Sequence, residues 1–308
     1  MTVDPQIAAL LERVNASRPL SAGTPEEGRE AFRTLNVLAA QLVARTEVGS
    51  VEDLSDGPVP VRVYRPEGER IATLMFIHGG GFVIGDLDSY DAQCRILCNR
   101  VGVTVVSVDY RLAPEHPFPA GVEDALAAFD WVVENEPGPI VVGGDSAGGN
   151  LSAVTAQARR DAEIAAQLLI YPAADLAGEY PSMEQNGEGL FLTRDDMDWF
   201  HHHYLGDDEA ARSDPRASPL LAEDLSGLPP ALVYTAQYDP LRDAGNAYAE
   251  ALSAAGVKVV HRCFEGLIHG FFGLGPFSPA AQLAIDQICD DLRSLLVAEA
   301  ARPAATSG

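Results

Sequence analysis

The sequence is short of several residue types that specialised classes of protein need. Of its 308 residues only 21 are Lys or Arg, against 45 Asp or Glu, so the formal net charge is −24. A surface this acidic repels phosphate, which argues against nucleic acid or an anionic membrane as a partner. Lysine occurs once, at Lys258 in a strand-like segment, and this disfavours Schiff-base chemistry.

Long hydrophobic runs are also missing. The longest apolar stretches have the length of a β-strand, far below the roughly 20 residues that cross a bilayer. The first residues lack a basic leader, and Glu12 and Arg13 interrupt their apolar pattern, so this segment is typical of an amphipathic helix rather than a signal peptide. We therefore expect a cytoplasmic protein with no stable membrane insertion.

The metal-binding residue types are too few or wrongly spaced to predict a metal site. Cys94 and Cys98 lie one helical turn apart, but Cys263 and Cys289 do not complete a second close pair. The histidines at 201–203 are consecutive, and neighbouring helical residues point about 100° apart, so they cannot all face one ion. We expect reduced, buried thiols, a polar helix around the histidines and no bound metal.

Short β-branched runs alternate with longer helical patterns, which predicts an α/β fold with a mostly parallel sheet and helices on both faces. The later strands are almost continuously apolar, as expected for a sheet covered on both sides. Strands are predicted at 61–65, 73–78, 103–109, 140–144, 166–172, 231–236 and 257–264, and helices at roughly 89–101, 120–135, 147–160, 242–255 and 279–297.

Two regions fall outside this alternation and predict the domain organisation. Residues 1–48 are helical before the first predicted strand, and an insertion at about 178–212 separates two later strands. We expect these two segments to form a helical cap on a catalytic domain of residues 49–300, because ligands bind at the carboxyl ends of strands in open α/β sheets. Residues 301–308 are expected to be a disordered tail.

The segment Gly144-Asp-Ser-Ala-Gly148 places Ser146 at a sharp turn between a predicted strand and a predicted helix. Small neighbours allow such a turn to expose the hydroxyl above the sheet, and the helix that starts there offers unpaired N–H groups. Ser146 is therefore the candidate nucleophile. Two interpretations of Asp145 stay open, a hydrogen-bonding support of this loop and a solvent-exposed residue.

Three glycines follow His78 at the end of another predicted strand. Bare backbone N–H groups are the donors that stabilise the negative oxygen of an acyl-transfer intermediate. We expect Gly80, Gly81 and Ala147 to supply them. A phosphate-binding loop is the alternative interpretation. The segment has neither of the patterns typical of such loops, G-x-x-x-x-G-K-[ST] and G-x-G-x-x-G.

Asp239 and His269 each come just past a predicted strand, on the side where Ser146 emerges. The chain order Ser, Asp, His is typical of one class of serine hydrolase, in which the histidine takes the serine proton and the carboxylate orients the histidine. Asp243 is the alternative orienting residue, although it is expected inside the following helix.

The motifs HGGGF, DYRLAPEHPFPA, GDSAGGN, DPLRD and HGF, in this order, resemble those of the hormone-sensitive-lipase-like family of α/β-hydrolase carboxylesterases. The resemblance covers about residues 55–295. It implies the Ser146–Asp239–His269 triad, no cofactor, a helical cap and small-molecule esters with short to medium acyl chains as substrates. It also implies that Arg111 and Glu115 tie together loops near the site without touching substrate.

Several residues near these motifs are candidates for the wall of the substrate pocket. The candidates for an apolar acyl pocket are Phe82, Val83, Phe191, Phe271 and Phe272, and those for contact with the alcohol side are Asp86 and Tyr90. An amidase, a lactonase or an acyltransferase would use the same triad, and a non-catalytic small-molecule receptor of this fold remains a further alternative. A homodimer is left open.

Overall fold

The computed structural model describes residues 2–301. Residues 302–308, which make up nearly all of the predicted disordered tail, lie outside the described part. The core of the structure is one eight-stranded sheet with the strand order β1-β2-β4-β3-β5-β6-β7-β8. Its strands are β1 (Ser50–Leu54), β2 (Val61–Arg65), β3 (Thr73–Ile77), β4 (Thr104–Val108), β5 (Ile140–Asp145), β6 (Ile164–Ile170), β7 (Ala231–Tyr238) and β8 (Val259–Ile268).

Helices cover both faces of this sheet. They are α1 (Pro5–Asn15), α2 (Pro25–Ala40), α3 (Asp91–Leu97), α4 (Ala120–Asn135), α5 (Ala147–Ala158), α6 (Pro181–Asn186), α7 (Arg194–Leu205), α8 (Glu209–Arg212), α9 (Arg242–Ala254) and α10 (Pro279–Ala300). One hydrophobic core lies between the sheet and α3 with α10, and a second lies between the sheet and α4 with α5. Within residues 2–301, no helix has both the length and the apolar content to span a bilayer.

The α/β fold is confirmed, with one difference at the edge of the sheet. The six strands from β3 to β8 run parallel, but β1 pairs antiparallel with β2, and β2 pairs antiparallel with β4. The sequence analysis missed β1, because this strand is polar and almost wholly exposed and has no alternation of apolar residues. An antiparallel edge on an otherwise parallel sheet is common in α/β folds.

The predicted helices are found within a few residues of their expected ends. The first differs most: α3 ends at Leu97, and the chain continues as a π-helical segment, Cys98–Gly102. Helix α4 has the predicted bounds. These helices carry buried apolar faces, and packing against the sheet is what stabilises most helices in proteins.

Parallel strands bring their carboxyl ends to one edge of the sheet. Strand β5 ends at Asp145, opposite Ile170 of β6, and β7 lies beside β8 with Tyr238 opposite Ile268. The residue that follows each of β5, β7 and β8 is therefore held at the same edge, although the three are far apart in sequence.

Candidate active site

Ser146 occupies a strained turn between β5 and α5. Its φ is 53° and its ψ is −117°, a conformation that non-glycine residues adopt only at a cost of about 1–3 kcal/mol. The neighbouring glycines make the turn possible: a Cβ on Gly144 would lie 2.2 Å from the carbonyl oxygen of Ile77, and one on Gly148 would lie 1.8 Å from it. The sequence pattern thus reflects a close backbone approach that holds the serine in place.

His269 and Asp239 meet Ser146 at this edge of the sheet. The Nε2 atom of His269 lies 3.0 Å from the Oγ atom of Ser146, and its Nδ1 atom lies 2.8 Å from the Oδ2 atom of Asp239. Asp239 is fully buried, and its second carboxylate oxygen accepts a hydrogen bond from the N–H group of Leu241 at 2.8 Å. The three predicted residues therefore form one continuous chain of hydrogen bonds.

Asp243 does not contact His269. Its carboxylate accepts hydrogen bonds from the backbone N–H group of Ser182 at 2.9 Å and from the Nε atom of Arg242 at 2.7 Å. As expected, Asp243 lies in the first turn of α9. Between the two carboxylates considered in the sequence, only Asp239 is within hydrogen-bonding distance of the histidine.

The glycine loop after β3 lies against the same cavity as Ser146. Gly80 has φ 111° and Gly81 has φ 59°, in the left-handed region that favours glycine. A Cβ on Gly81 would lie 2.2 Å from the ring of Phe200, so side chains are excluded by space as well. Neither N–H group donates to another described residue, and Ala147 begins α5, where the first N–H groups have no acceptor within the helix.

Asp145 supports this loop from below. Its Oδ1 atom accepts a hydrogen bond from the N–H group of Gly79 at 2.8 Å, and its Oδ2 atom accepts from the hydroxyls of Tyr90 and Tyr171 at 3.1 and 3.2 Å. Burial raises the pKa of Asp145 to about 6, although these hydrogen bonds act in the opposite direction. Of the two interpretations left open by the sequence, the structure therefore agrees with the supporting role.

A cavity of about 780 Å³ opens above Ser146 and His269. Its size is within the range of cavities that hold small organic ligands. Most of its wall is apolar and comes from α1, α2, α7 and the loops after β3 and β8. Apolar residues of the lining include Leu10, Val14, Leu20, Phe32, Leu35, Phe82, Ile84, Phe191, Leu192, Met197, Phe200, Phe272, Leu274 and Phe277.

Three of the seven predicted pocket residues, Val83, Phe271 and Asp86, do not reach this cavity, whereas Tyr90 does. Phe82 and Phe191 line it, but the ring of Phe271 points into the core and packs against Tyr171 at a centroid distance of 5.0 Å. Asp86 instead accepts a hydrogen bond from the N–H group of Ser89 at 2.7 Å, in the turn before α3. Phe272, the neighbour of Phe271, lines the cavity, because successive residues of a tight turn point in different directions.

Comparison with known proteins identifies the family of the chain. A family model described as alpha/beta hydrolase fold matches residues 74–273. The chain belongs to this family. Among its relatives, the carboxylic ester hydrolase LipN of Mycobacterium tuberculosis is 48% identical over 255 residues, which cover 78% of this chain and 68% of LipN. The ethyl acetate hydrolase of Pseudomonas putida is 37% identical over 321 residues, covering 96% and 100% of the two chains.

Solved structures give the same result. An esterase of Pyrobaculum calidifontis superposes with a TM-score of 0.89 at 40% identity, covering 96% of this chain and 99% of that one. An α/β-hydrolase enzyme from the metagenome of Lake Arreo superposes with a TM-score of 0.90 at 41% identity, covering 95% and 98%. The predicted family and the predicted enzyme class, a carboxylic ester hydrolase, are confirmed.

The sequence analysis missed an arginine that fixes helix α2 of the hydrolase over the site. Arg29 donates two hydrogen bonds to the carboxylate of Glu115, at 2.8 and 2.6 Å, and one each to the carbonyl oxygens of Val83 and Ala113, both at 2.8 Å. The hydrogen bonds between Arg29 and Glu115 hold the pKa of Glu115 far below its ordinary value, at about 2. Arg111 pairs separately with Asp124. No sequence motif marks Arg29.

The remaining candidates are the consecutive histidines and the cysteines, and among these His201 lines the cavity. Of the histidines at 201–203, His201 is largely buried, and burial lowers its pKa to about 4. Among the described residues, no group of three or more His, Cys, Asp or Glu side chains is arranged to hold a metal ion. Cys94, Cys98 and Cys289 are buried free thiols, whereas Cys263 is exposed and also free.

Proposed function

We propose that this enzyme is a serine carboxylesterase that hydrolyses esters of short- to medium-chain acids through an acyl-enzyme intermediate. The observation that carries the proposal is the continuous chain from the Oγ atom of Ser146 to Nε2 of His269 at 3.0 Å, and from Nδ1 of His269 to Asp239 at 2.8 Å. A serine hydroxyl becomes a useful nucleophile when a base within this distance can take its proton.

In the first half of the reaction, the Oγ atom of Ser146 attacks the ester carbonyl carbon while Nε2 of His269 takes the hydroxyl proton. The carbonyl oxygen becomes negative and accepts hydrogen bonds from the N–H groups of Gly80, Gly81 and Ala147. Collapse of this intermediate breaks the bond to the alcohol, which leaves with the proton held by His269, and the acyl group stays on Ser146.

In the second half, water repeats the attack on the acyl-enzyme. His269 takes a proton from the water, the oxygen attacks the acyl carbonyl carbon, and the same three N–H groups stabilise the negative oxygen. The acid then leaves and Ser146 recovers its proton from His269. Asp239 stays ionised throughout, holds the Nδ1–H tautomer of His269 and stabilises the imidazolium that forms in each half.

The cavity supports the proposed range of acyl chains. It adjoins Ser146, and the rings of Phe82 and Phe191 form part of a mostly apolar wall, so each methylene of a substrate chain gains by leaving water. The finite volume of the cavity also limits the length of the acyl chain that fits. We therefore expect turnover to be high for short chains and to fall beyond medium length.

We further propose that residues 1–48 and the insertion at about 178–212 act together as a cap on the catalytic domain of residues 49–300. The two segments are linked by polar contacts: the N–H group of Ser21 donates to Asp196 at 3.0 Å, and the side chain of Asn15 donates to the carbonyl oxygen of Gly189 at 3.0 Å. Helices from both segments border the cavity, so a cap made of them would select the substrate.

The test uses p-nitrophenyl esters from acetate to laurate and two substitutions, Ser146→Ala and His269→Ala. Either should lower kcat by roughly 10⁶-fold, because residues that act as one unit lose nearly the whole effect together. Ser253→Ala, on the exposed part of α9, is the matched control and should behave as wild type. A fluorophosphonate should label Ser146, as read by peptide mass spectrometry.

Two results would contradict the proposal. If both variants turn over the esters at the wild-type rate, the assignment of the triad is wrong. If hydrolysis depends on Ser146 but rapid mixing shows no burst of nitrophenol and mass spectrometry finds no acylated protein with a slow substrate, the acyl-enzyme pathway is wrong.

A further inference from the structure

A glutamine side chain in the wall of the cavity has no hydrogen-bond partner among the described residues. Gln93, in α3, is only 7% exposed and lines the cavity that adjoins Ser146. Among residues 2–301, no side chain or backbone group forms a hydrogen bond with its amide. The amide faces the cavity, and a substrate chain that fills the cavity would cover it. Because burying an amide without a partner costs about 1–3 kcal/mol, this group favours a chain that brings a hydrogen-bonding partner.

A second amide faces the same space. Asn36, in α2, also lines the cavity, and its Nδ2 atom donates to the carbonyl oxygen of Phe32 at 2.9 Å, which leaves its Oδ1 atom available. A methyl group added to Gly273 would lie 3.3 Å from the Nε2 atom of Gln93 and 3.7 Å from the Oδ1 atom of Asn36. The two amides therefore converge beside Gly273.

Gly273 is not required there by its backbone conformation. Its φ lies outside the left-handed region, which other glycines of this chain occupy, so an L-residue would fit the backbone at this position. What the glycine provides is open space between the two amides. The surrounding wall is apolar, with Phe272, Leu274 and Phe277 nearby in the chain.

The subsite is within reach of the reacting centre. Gln93 comes three residues after Tyr90, on the same side of the helical turn, and the hydroxyl of Tyr90 donates to Asp145, the neighbour of Ser146. A substrate chain attached to the carbonyl at Ser146 can therefore extend through the cavity toward Gln93 without leaving the protein.

We propose that Gln93 and Asn36 form a polar subsite that recognises a hydroxyl group on the chain of the substrate. A hydroxyl satisfies both amides at once: its oxygen accepts from Nε2 of Gln93 and its proton is donated to Oδ1 of Asn36. This inference rests on the proposed function and names its substrate class, an ester whose acid or alcohol part carries a hydroxyl away from the reacting carbonyl.

The experiment compares matched pairs of esters that differ only by this hydroxyl. In one series the hydroxyl is moved stepwise along the acid of ethyl esters, and in the other along the alcohol of acetates, so the two series show which part of the substrate reaches the subsite. We expect kcat/KM for at least one hydroxy ester to exceed that of its alkyl partner by about tenfold, the effect of one net hydrogen bond.

Gln93→Leu should bring this ratio close to one, partly because alkyl esters no longer bury an unpaired amide and are hydrolysed faster. Asn36→Leu should also lower the ratio. Gln41→Leu, an exposed glutamine just past α2 that does not line the cavity, is the matched control and should keep the wild-type ratio. Gly273→Ala fills the space between the amides, and it should lower the ratio even if the leucine variants fold poorly.

The proposal is wrong if no hydroxy ester of either series is preferred, or if the ratio survives in the Gln93→Leu and Gly273→Ala variants. Calorimetry with Ser146→Ala separates this failure from a failure of the proposed function. It measures binding of the matched esters without turnover, so a tenfold difference in Kd that disappears in the double variant Ser146→Ala/Gln93→Leu supports the subsite even if another residue proves to be the nucleophile.

Discussion

The edge of the sheet that carries the triad and helix α2 border the same cavity, yet they are built differently. Asp239 is fully buried and His269 is 7% exposed, and both follow strands of the central sheet. Helix α2 instead has only Gly28 and Ala39 buried, and Leu38 on the same helix is 55% exposed.

This difference in packing corresponds to two tasks of an enzyme, the chemical step and the choice of substrate. The distances that serve proton transfer are set by strands whose residues are packed on both faces, where small displacements are costly. Helix α2 has few buried residues, and polar contacts such as those of Arg29 hold it beside the cavity. We infer that the chemistry depends on the rigid edge of the sheet and that the choice of substrate depends in part on the more weakly attached helix α2.

After the loss expected for Ser146→Ala and His269→Ala, the largest effect is expected at the rigid edge, from Asp239→Asn. An amide in place of the carboxylate favours the wrong tautomer of His269 and does not stabilise its cation, so kcat should fall by roughly 10⁴-fold. Steady-state kinetics with p-nitrophenyl butyrate measure this. Asp243→Asn is the matched control and should retain most activity, since Asp243 contacts Ser182 and Arg242 instead. The reverse order of the two effects would transfer the orienting role to Asp243.

A smaller effect is expected one layer below the site, from Asp145→Asn. The variant weakens the hydrogen bond that fixes Gly79, and hence the loop that would hold the negative oxygen, so kcat should fall by about 10- to 100-fold with little change in KM. A loss confined to KM would show that Asp145 does not act through this loop.

The same variant gives a test of pH dependence. Because burial raises the pKa of Asp145 to about 6, the folded protein keeps a proton that the unfolded chain releases near pH 4. Between about pH 4 and pH 6 the free energy of unfolding of the wild type should therefore fall with rising pH relative to Asp145→Asn, and above this window the difference should be constant. Urea unfolding at a series of pH values measures it, and parallel curves would contradict the shift.

The smallest effect on the chemistry is expected from the helices, at Arg29→Ala. Loss of the contacts to Glu115, Val83 and Ala113 should raise KM several-fold and lower kcat by less than that, because the cavity wall moves while the triad stays in place. Arg33 lies on the same helix as Arg29 and forms a more exposed ion pair with Asp88. Arg33→Ala is therefore the control and should change neither kcat nor KM by more than about twofold. If Arg29→Ala lowered kcat by as large a factor as it raised KM, the proposed division between a region for chemistry and a region for substrate choice would be wrong.

Local sequence was sufficient for the parts of the structure that depend on neighbours in the chain. Both ends of the helix 120–135 were predicted correctly, because its buried positions recur with helical spacing. The turn around Ser146 was predictable because its glycines are required by the approach of Ile77. Strand β1 was not predictable, because its pairing with β2 is formed by backbone hydrogen bonds that leave no pattern in its exposed side chains.

The sequence by itself determined the candidate catalytic groups. These are a serine in a glycine-flanked turn, the backbone N–H groups of the glycines after His78, and one carboxylate and one imidazole at strand ends. Only the tertiary structure decided which of these meet, that Phe272 rather than Phe271 faces the cavity, and that Gln93 lies in the cavity wall without a hydrogen-bond partner. The reason is physical: backbone conformation follows from adjacent residues, whereas the surroundings of a side chain depend on segments that the fold brings together from distant parts of the chain.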